Sequence, residues 1–181
     1  MSEIKNGGLE AWKLKYYPVP ADQLHESGAS DLEMVDACLL KWSGLTREVL
    51  DHYGLKAQGR GVYHRGVYDP REGKVVFFVD SDSCALCARY LTHDGRGGNC
   101  SCDGCPINES RGMPCDKRLL QESVSPYGAW HTSENPQPMI SALEDARRFA
   151  LCGRRISLPD RLEYWLWRIG KKLKQILQDA L

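Results

Sequence analysis

Six of the eight cysteines of this 181-residue chain lie within a stretch of 32 residues, from Cys84 to Cys115. Cys84 and Cys87 form one CxxC motif, and Cys102 and Cys105 form a second, with 14 residues between the two motifs. Two intervening residues let both sulfurs of a motif turn toward one ion, and paired motifs at this separation are typical of tetrahedral zinc. The spacing therefore predicts a structural zinc site with Cys84, Cys87, Cys102 and Cys105 as ligands.

Other ligands and other metals remain open for the same region. The thiols of Cys100 and Cys115 and the imidazole of His93 are possible substitutes for one of the four ligands. An iron–sulfur cluster is an alternative to zinc, although the run CSCDGCP does not follow the ferredoxin spacing. A redox CxxC motif normally begins a helix in a βαβ unit, which this sequence does not indicate. Closed four-thiolate zinc sites mostly stabilise a fold, so the metal alone indicates no activity.

The residues before the first motif predict how its thiols are held. Ser81, Asp82 and Ser83 are good helix caps, and a helix beginning after them would place Cys84 and Cys87 on one face. The positive end of such a helix would favour the thiolate forms. Cys38 and Cys152, by contrast, lie on predicted helices and are interpreted as buried small apolar residues.

The cysteine-rich stretch resembles a group of small proteins encoded by tailed phages and prophages. The segments that carry the resemblance are CALC, CDGCPI, Cys115, SPYGAW and MISAL, and together they cover roughly residues 77–151. The matching cysteines are Cys84, Cys87, Cys102, Cys105 and Cys115, with Pro106, whereas Cys100 is extra. The resemblance implies an origin in a mobile element and a metal-binding knuckle, and it implies no activity.

The elements around this region predict an α+β fold. Apolar periodicity indicates helices at 31–42 and 138–151, and a shorter one within 45–55. The runs VYHRGVY and VVFFVD, separated by DPREGK, predict a β-hairpin. Residues 1–30 are predicted to be an irregular lead-in, and 119–138 are rich in turn residues. The expected core domain is 31–152, and it contains the cysteine knuckle at 84–115.

The C-terminal segment has a different composition. Residues 153–181 carry seven Lys/Arg against three Asp/Glu, a net charge of +4, and a helix predicted at 159–181 has a continuous apolar stripe. A stripe of this length favours packing on the core, a protein partner or self-association over a membrane surface. The whole chain carries 24 basic and 24 acidic residues, so its net charge gives no argument for binding nucleic acid.

A second hypothesis concerns residues 45–79, which have the order of a helix followed by a wing. Its basic residues would then face DNA: Arg47, Lys56, Arg60, Arg65, Arg71 and Lys74. The net charge of this segment is only +2, which favours a helix packed on a hairpin. No catalytic motif is present, and no signal peptide or membrane span is expected. The sequence thus predicts a cytoplasmic, zinc-stabilised, non-enzymatic binding protein.

Overall fold

The structure, a computed structural model, describes residues 7–58, 65–93, 100–111, 115 and 125–152, with 92–93 and 100–101 described by their backbone alone. Within these ranges the fold is α+β, as predicted from the sequence. Its elements in chain order are α1 (Gly8–Tyr16), α2 (Ala21–Glu26), α3 (Asp31–Ser43), α4 (Arg47–His52), β1 (Lys56–Gln58), β2 (Gly66–Asp69), β3 (Lys74–Phe78), α5 (Ala85–Tyr90), β4 (Thr92–His93), β5 (Cys100–Ser101), α6 (Pro106–Arg111), α7 (Pro126–Ser133) and α8 (Gln137–Cys152).

The three helices predicted from periodicity are confirmed as α3, α4 and α8. α3 begins with a capping box, in which the Ser30 side chain accepts from the Glu33 amide and the Glu33 carboxylate accepts from the Ser30 amide. α4 ends before Gly54, whose positive φ of 72° stops the helix. The chain divides after Ala150 into two units. The predicted helix at 159–181 lies outside the described residues.

The predicted hairpin is confirmed and has one additional strand. β2 and β3 pair antiparallel across the turn that begins at Pro70, and β1 pairs with the other edge of β2. Gly66 is required in β2, because a Cβ at this position would lie 1.9 Å from the carbonyl oxygen of Phe77 on β3. A register irregularity between Val67 and Tyr68 increases the local twist of the sheet.

Two regions expected to lack regular structure contain helices, and both predictions were wrong. The lead-in at 1–30 contains α1 and α2, because its glycines and prolines stand at helix ends and do not interrupt a helix. In the turn-rich segment, Ser125 caps α7 by accepting from the Gly128 amide at 2.9 Å, and Pro126 occupies the first turn. Pro126 and Gly128 therefore lie within a short helix.

The core lies between α1, α3, α7, α8 and the three-stranded sheet, and three buried tryptophans connect these elements. Trp12 of α1 packs on Phe77 of β3, with ring centroids 5.2 Å apart, and its Nε1 donates to the Gly44 carbonyl at 2.8 Å. Trp42 of α3 meets Trp130 of α7 edge to face at 5.3 Å. In the ranges that the structure describes, no helix is both long enough and apolar enough to span a membrane.

Candidate metal centre

The first CxxC motif stands at the beginning of α5. The prediction that Ser81, Asp82 or Ser83 caps this helix was wrong, because Cys84 itself is the N-cap residue. A turn stabilised by Asp80 and Ser83 precedes it, in which the Asp80 carboxylate accepts from the Ser83 amide at 3.2 Å. Cys84 occupies the N-cap position and Cys87 lies in the first turn of the helix. This local geometry brings the two sulfurs into hydrogen-bond contact with each other.

The second motif forms a tight turn in front of α6. The Cys105 amide donates to the Cys102 carbonyl at 3.1 Å, and Gly104 between them has a φ of 77°, which favours glycine. The Asn108 side chain also donates to the Cys102 carbonyl, at 3.3 Å. Cys105 itself is buried and directly precedes Pro106, the first residue of α6. Each motif therefore has a cysteine immediately before a helix.

A short two-stranded ladder connects the motifs. β4 follows α5 and pairs antiparallel with β5, which ends at the residue before Cys102. The register places the backbone of His93 opposite that of Cys100. The pairing thus returns the chain from the first motif to the second. The side chains of His93 and Cys100, both considered as substitute ligands, lie outside the description.

The thiols influence one another electrostatically. Hydrogen bonds from the Cys38 and Cys87 thiols hold the pKa of Cys84 well below its usual range. The pKa of Cys87 is raised, first by its hydrogen bond to Cys84 and then by its burial. Burial raises the pKa of the Cys105 thiol to about 11, although the amides of Ile107 and Asn108 oppose the rise.

Cys115 belongs to the same neighbourhood. Its carbonyl accepts from the Tyr127 amide at 3.1 Å, and Tyr127 also donates its hydroxyl to the Val79 carbonyl at 2.7 Å. Negative charge on Cys115 and on Cys102 contributes to the raised pKa of Cys87. Cys115 therefore acts electrostatically on the first motif, and its role as a substitute ligand stays a prediction.

The thiols that act on one another electrostatically are referred to as the thiol cluster, and they are those of Cys84, Cys87, Cys102, Cys105 and Cys115. The seven cysteines of the described part of the chain form no disulfide bond with one another. Among those same residues, no three His, Cys, Asp or Glu side chains are grouped closely enough to hold an ion as they stand. Zinc ligation by Cys84, Cys87, Cys102 and Cys105 therefore stays a prediction.

The cluster also includes a cysteine that was interpreted from the sequence as part of the apolar core. Cys38 of α3 is buried, and its sulfur lies 3.9 Å from the Cys84 sulfur. One turn later, the buried Lys41 donates from Nζ to the Ser83 carbonyl at 2.5 Å and to the Ser83 hydroxyl at 3.1 Å. Lys41 lies on the same face of α3 as Met34 and Cys38. A lysine on this otherwise apolar face is the sequence signal that could have identified Cys38 as part of the cluster. Cys152, expected to be buried, is exposed.

The basic residues proposed to face DNA have acidic neighbours in several cases. Arg71 pairs with Asp69 at 2.5 Å and Lys74 with Glu72 at 3.0 Å. Arg47 lies 3.7 Å from Asp51 on the solvent side of α4, which has only six residues. These pairs reduce the positive field of the segment, so the arrangement does not favour a nucleic-acid surface.

No protein-family model, curated protein or solved structure matches this chain. The chemistry of the thiol cluster is therefore what bears on function.

Proposed function

We propose that this chain is a small zinc-stabilised, non-enzymatic binding protein of phage or prophage origin, in which Cys84, Cys87, Cys102 and Cys105 hold one zinc ion. The observation that carries the proposal is the β4–β5 ladder, which returns the chain from the first CxxC motif to the second. A helix directly follows one cysteine of each motif. An ion held between the motifs would connect two short helices that have little core of their own.

Binding of zinc would require the two motifs to approach each other more closely. The sequence between the motifs contains Gly95, Gly97 and Gly98, and glycine accepts backbone conformations that other residues rarely adopt. Metal binding of this kind contributes directly to folding, because the ligands are brought together only in the folded, metal-loaded state. The role of the ion is therefore stabilisation of the fold.

The proposed recognition element is the predicted helix at 159–181. Its apolar stripe is too extensive to leave in water on a small monomer, and its basic residues cluster at 168–174. It would bind a protein partner, such as a host or phage macromolecule with an acidic surface, or a second copy of the chain. The resemblance to small phage and prophage proteins supports this origin.

Elemental analysis of the protein purified without chelators tests the metal. We expect about one zinc per chain in the wild type, loss of zinc in Cys84→Ser and Cys102→Ser, and retention in the matched control Cys152→Ser, whose thiol is exposed. If the purified protein instead contained stoichiometric iron and absorbed visible light, its metal centre would be an iron–sulfur cluster and not a zinc ion. A wild-type protein without any metal would refute the proposal.

A further inference from the structure

The strongest unexplained feature is a positive charge in the protein interior. Lys41 has only 1% of its surface exposed. Its ammonium contacts the Ser83 carbonyl and hydroxyl and lies 5.9 Å from the centre of the Trp42 ring. None of the ion pairs among the described residues includes Lys41. Burying an ammonium without an opposite charge is costly, so a buried lysine normally has an anionic partner.

The nearest source of negative charge is the thiol cluster itself. Ser83, which holds the Lys41 ammonium, immediately precedes Cys84, and Cys38 is one helical turn before Lys41 on the same face of α3. A zinc ion with four thiolates carries a net charge of −2. A metal–thiolate centre at this position would therefore supply the counter-charge for Lys41.

The distance between the Cys38 and Cys84 sulfurs is consistent with shared ligation. These sulfurs are 3.9 Å apart. With zinc–sulfur bonds of about 2.3 Å, two thiolates of one tetrahedral zinc are separated by about 3.8 Å. Cys84 also contacts Cys87, so it has a thiol neighbour on α3 as well as one in its own motif.

A small cavity lies beside this position. A cavity of about 70 Å³ is lined by residues of α2, α3 and the preceding loop, and Cys38, Lys41 and Ser83 form part of its wall. Val19 and Leu40, which also line it, are 42% and 38% exposed. Cys38 and Lys41 therefore both border a small space inside the protein.

We infer that Cys38 is a further ligand of the metal centre, contributed by α3, and that Lys41 is the buried counter-cation of that centre. The inference rests on the proposed function, since it changes one ligand of the same site. The ion would then connect α3, the central helix of the core, with both CxxC motifs. In a four-coordinate site, Cys38 takes the place of one of the four ligands predicted from the sequence.

The test compares zinc affinity by competition with a chromophoric chelator in the wild type, Cys38→Ser, Cys38→Val and the control Cys152→Ser. Valine keeps the apolar packing at this buried position, so at least one variant should fold, as judged by near-ultraviolet circular dichroism of the buried tryptophans. We expect the zinc affinity of both Cys38 variants to fall by more than about 100-fold. This loss is larger than the loss caused by replacing a residue that only supports a ligand. The control should keep wild-type affinity.

The outcomes separate this inference from the proposal on which it rests. A folded Cys38 variant with wild-type zinc affinity, alongside loss of zinc in Cys84→Ser, would overturn the role of Cys38 and leave the zinc site in place. A wild-type protein that binds no zinc would overturn both. A cobalt(II)-loaded wild type with a stronger thiolate-to-cobalt absorption per metal than folded Cys38→Val would support the added ligand.

Discussion

Lys41 and Asp69 are the charged side chains buried in the described part of the chain, and their partners differ. The Asp69 carboxylate accepts from the Arg71 amide at 2.8 Å and from the Arg71 guanidinium at 2.9 and 2.5 Å. Lys41 is held by the hydroxyl and carbonyl of Ser83. A buried charge is stable only with sufficient compensation, so substitutions at the two sites should have different consequences.

Replacing Lys41 by methionine should affect zinc binding more than folding. In the metal-free protein, the substitution removes the cost of a buried ammonium and also removes the hydrogen bonds to Ser83. Because these two effects oppose each other, the free energy of unfolding should stay within about 1 kcal/mol of wild type. Zinc affinity should fall by about 10- to 100-fold, because the anionic centre loses its counter-charge. Urea unfolding with chelator and chelator competition measure the two effects.

The control for this substitution is Lys56→Met, at an exposed position on β1. It removes the same charge from the chain and should leave both measurements near wild type. Strong destabilisation of the metal-free Lys41→Met protein, with unchanged zinc affinity, would show that Lys41 has a packing role alone.

Asp69→Asn should destabilise the sheet and change its response to acid. Hydrogen bonds from Arg71 lower the pKa of Asp69 in the folded state. The carboxylate therefore contributes stability above its unfolded pKa of about 3.9, and this contribution is lost as the pH falls through the lower folded pKa. We expect a loss of about 2 kcal/mol at pH 7 and a flatter decline of stability below about pH 4.

Urea unfolding between pH 2 and 7 measures this effect, with Glu72→Gln as the control. Glu72 pairs with Lys74 at 3.0 Å, and both side chains are exposed. Surface pairs of this kind contribute little to stability, so the control should change it by less than about 1 kcal/mol. Equal effects of the two substitutions would contradict the importance of the buried carboxylate.

At the scale of elements, α3 is the helix on which the other elements converge. α1 and α5 pack against it, and it carries Cys38 and Lys41 toward the first CxxC motif. Asp31 in its first turn accepts from Arg89 and Tyr90 of α5. Asp36 forms an ion pair with Arg147 of α8 at 2.6 Å. The stability of α3 should therefore limit the stability of the thiol cluster.

Ser30→Ala tests this dependence at the beginning of α3. Loss of the capping box leaves the Glu33 amide without its acceptor, and we expect the free energy of unfolding to fall by about 1 kcal/mol. Ser27→Ala is the matched control, because Ser27 is also exposed but lies at the C-terminal end of α2. Chemical denaturation should show a clear loss of stability for Ser30→Ala and none for Ser27→Ala. Equal losses of stability in the two variants would argue against a specific role of the cap.

At the scale of the whole molecule, the proposed metal site and the proposed recognition element lie in different segments of the chain. The two CxxC motifs lie within 84–105, whereas the amphipathic stripe lies at 159–181. Deleting 159–181 should therefore leave about one zinc per chain and abolish self-association or partner binding. Elemental analysis, light scattering on a sizing column and capture of partners from host lysate measure these properties.

Point substitutions refine this experiment without shortening the chain. Leu166→Asp introduces a charge into the apolar stripe and should reproduce the deletion, whereas Trp167→Ala lies off the stripe and should have a smaller effect. A truncated protein that keeps both its oligomeric state and its partners would show that the helix has no role in binding.

Local patterns alone were sufficient to predict several elements. The spacing of apolar residues predicted α3, α4 and α8, and the turn DPREGK between two β-rich runs predicted the β2–β3 hairpin. Each prediction depended on interactions within a few residues, such as the capping box at Ser30. A helix at the first CxxC motif was also predicted from local pattern, whereas α6 after the second motif was not.

Tertiary structure decided which residues join the cluster. Cys38 and Cys84 are 46 residues apart, and no local spacing predicts that their sulfurs lie 3.9 Å from each other. The same packing of α5 on α3 buries Lys41, whose side chain would be solvated on an isolated helix. α1 is likewise part of the core, because Trp12 donates a hydrogen bond to the Gly44 carbonyl and packs on the Phe77 ring. Contacts between distant segments arise from burial of complementary surfaces, which sequence spacing does not encode.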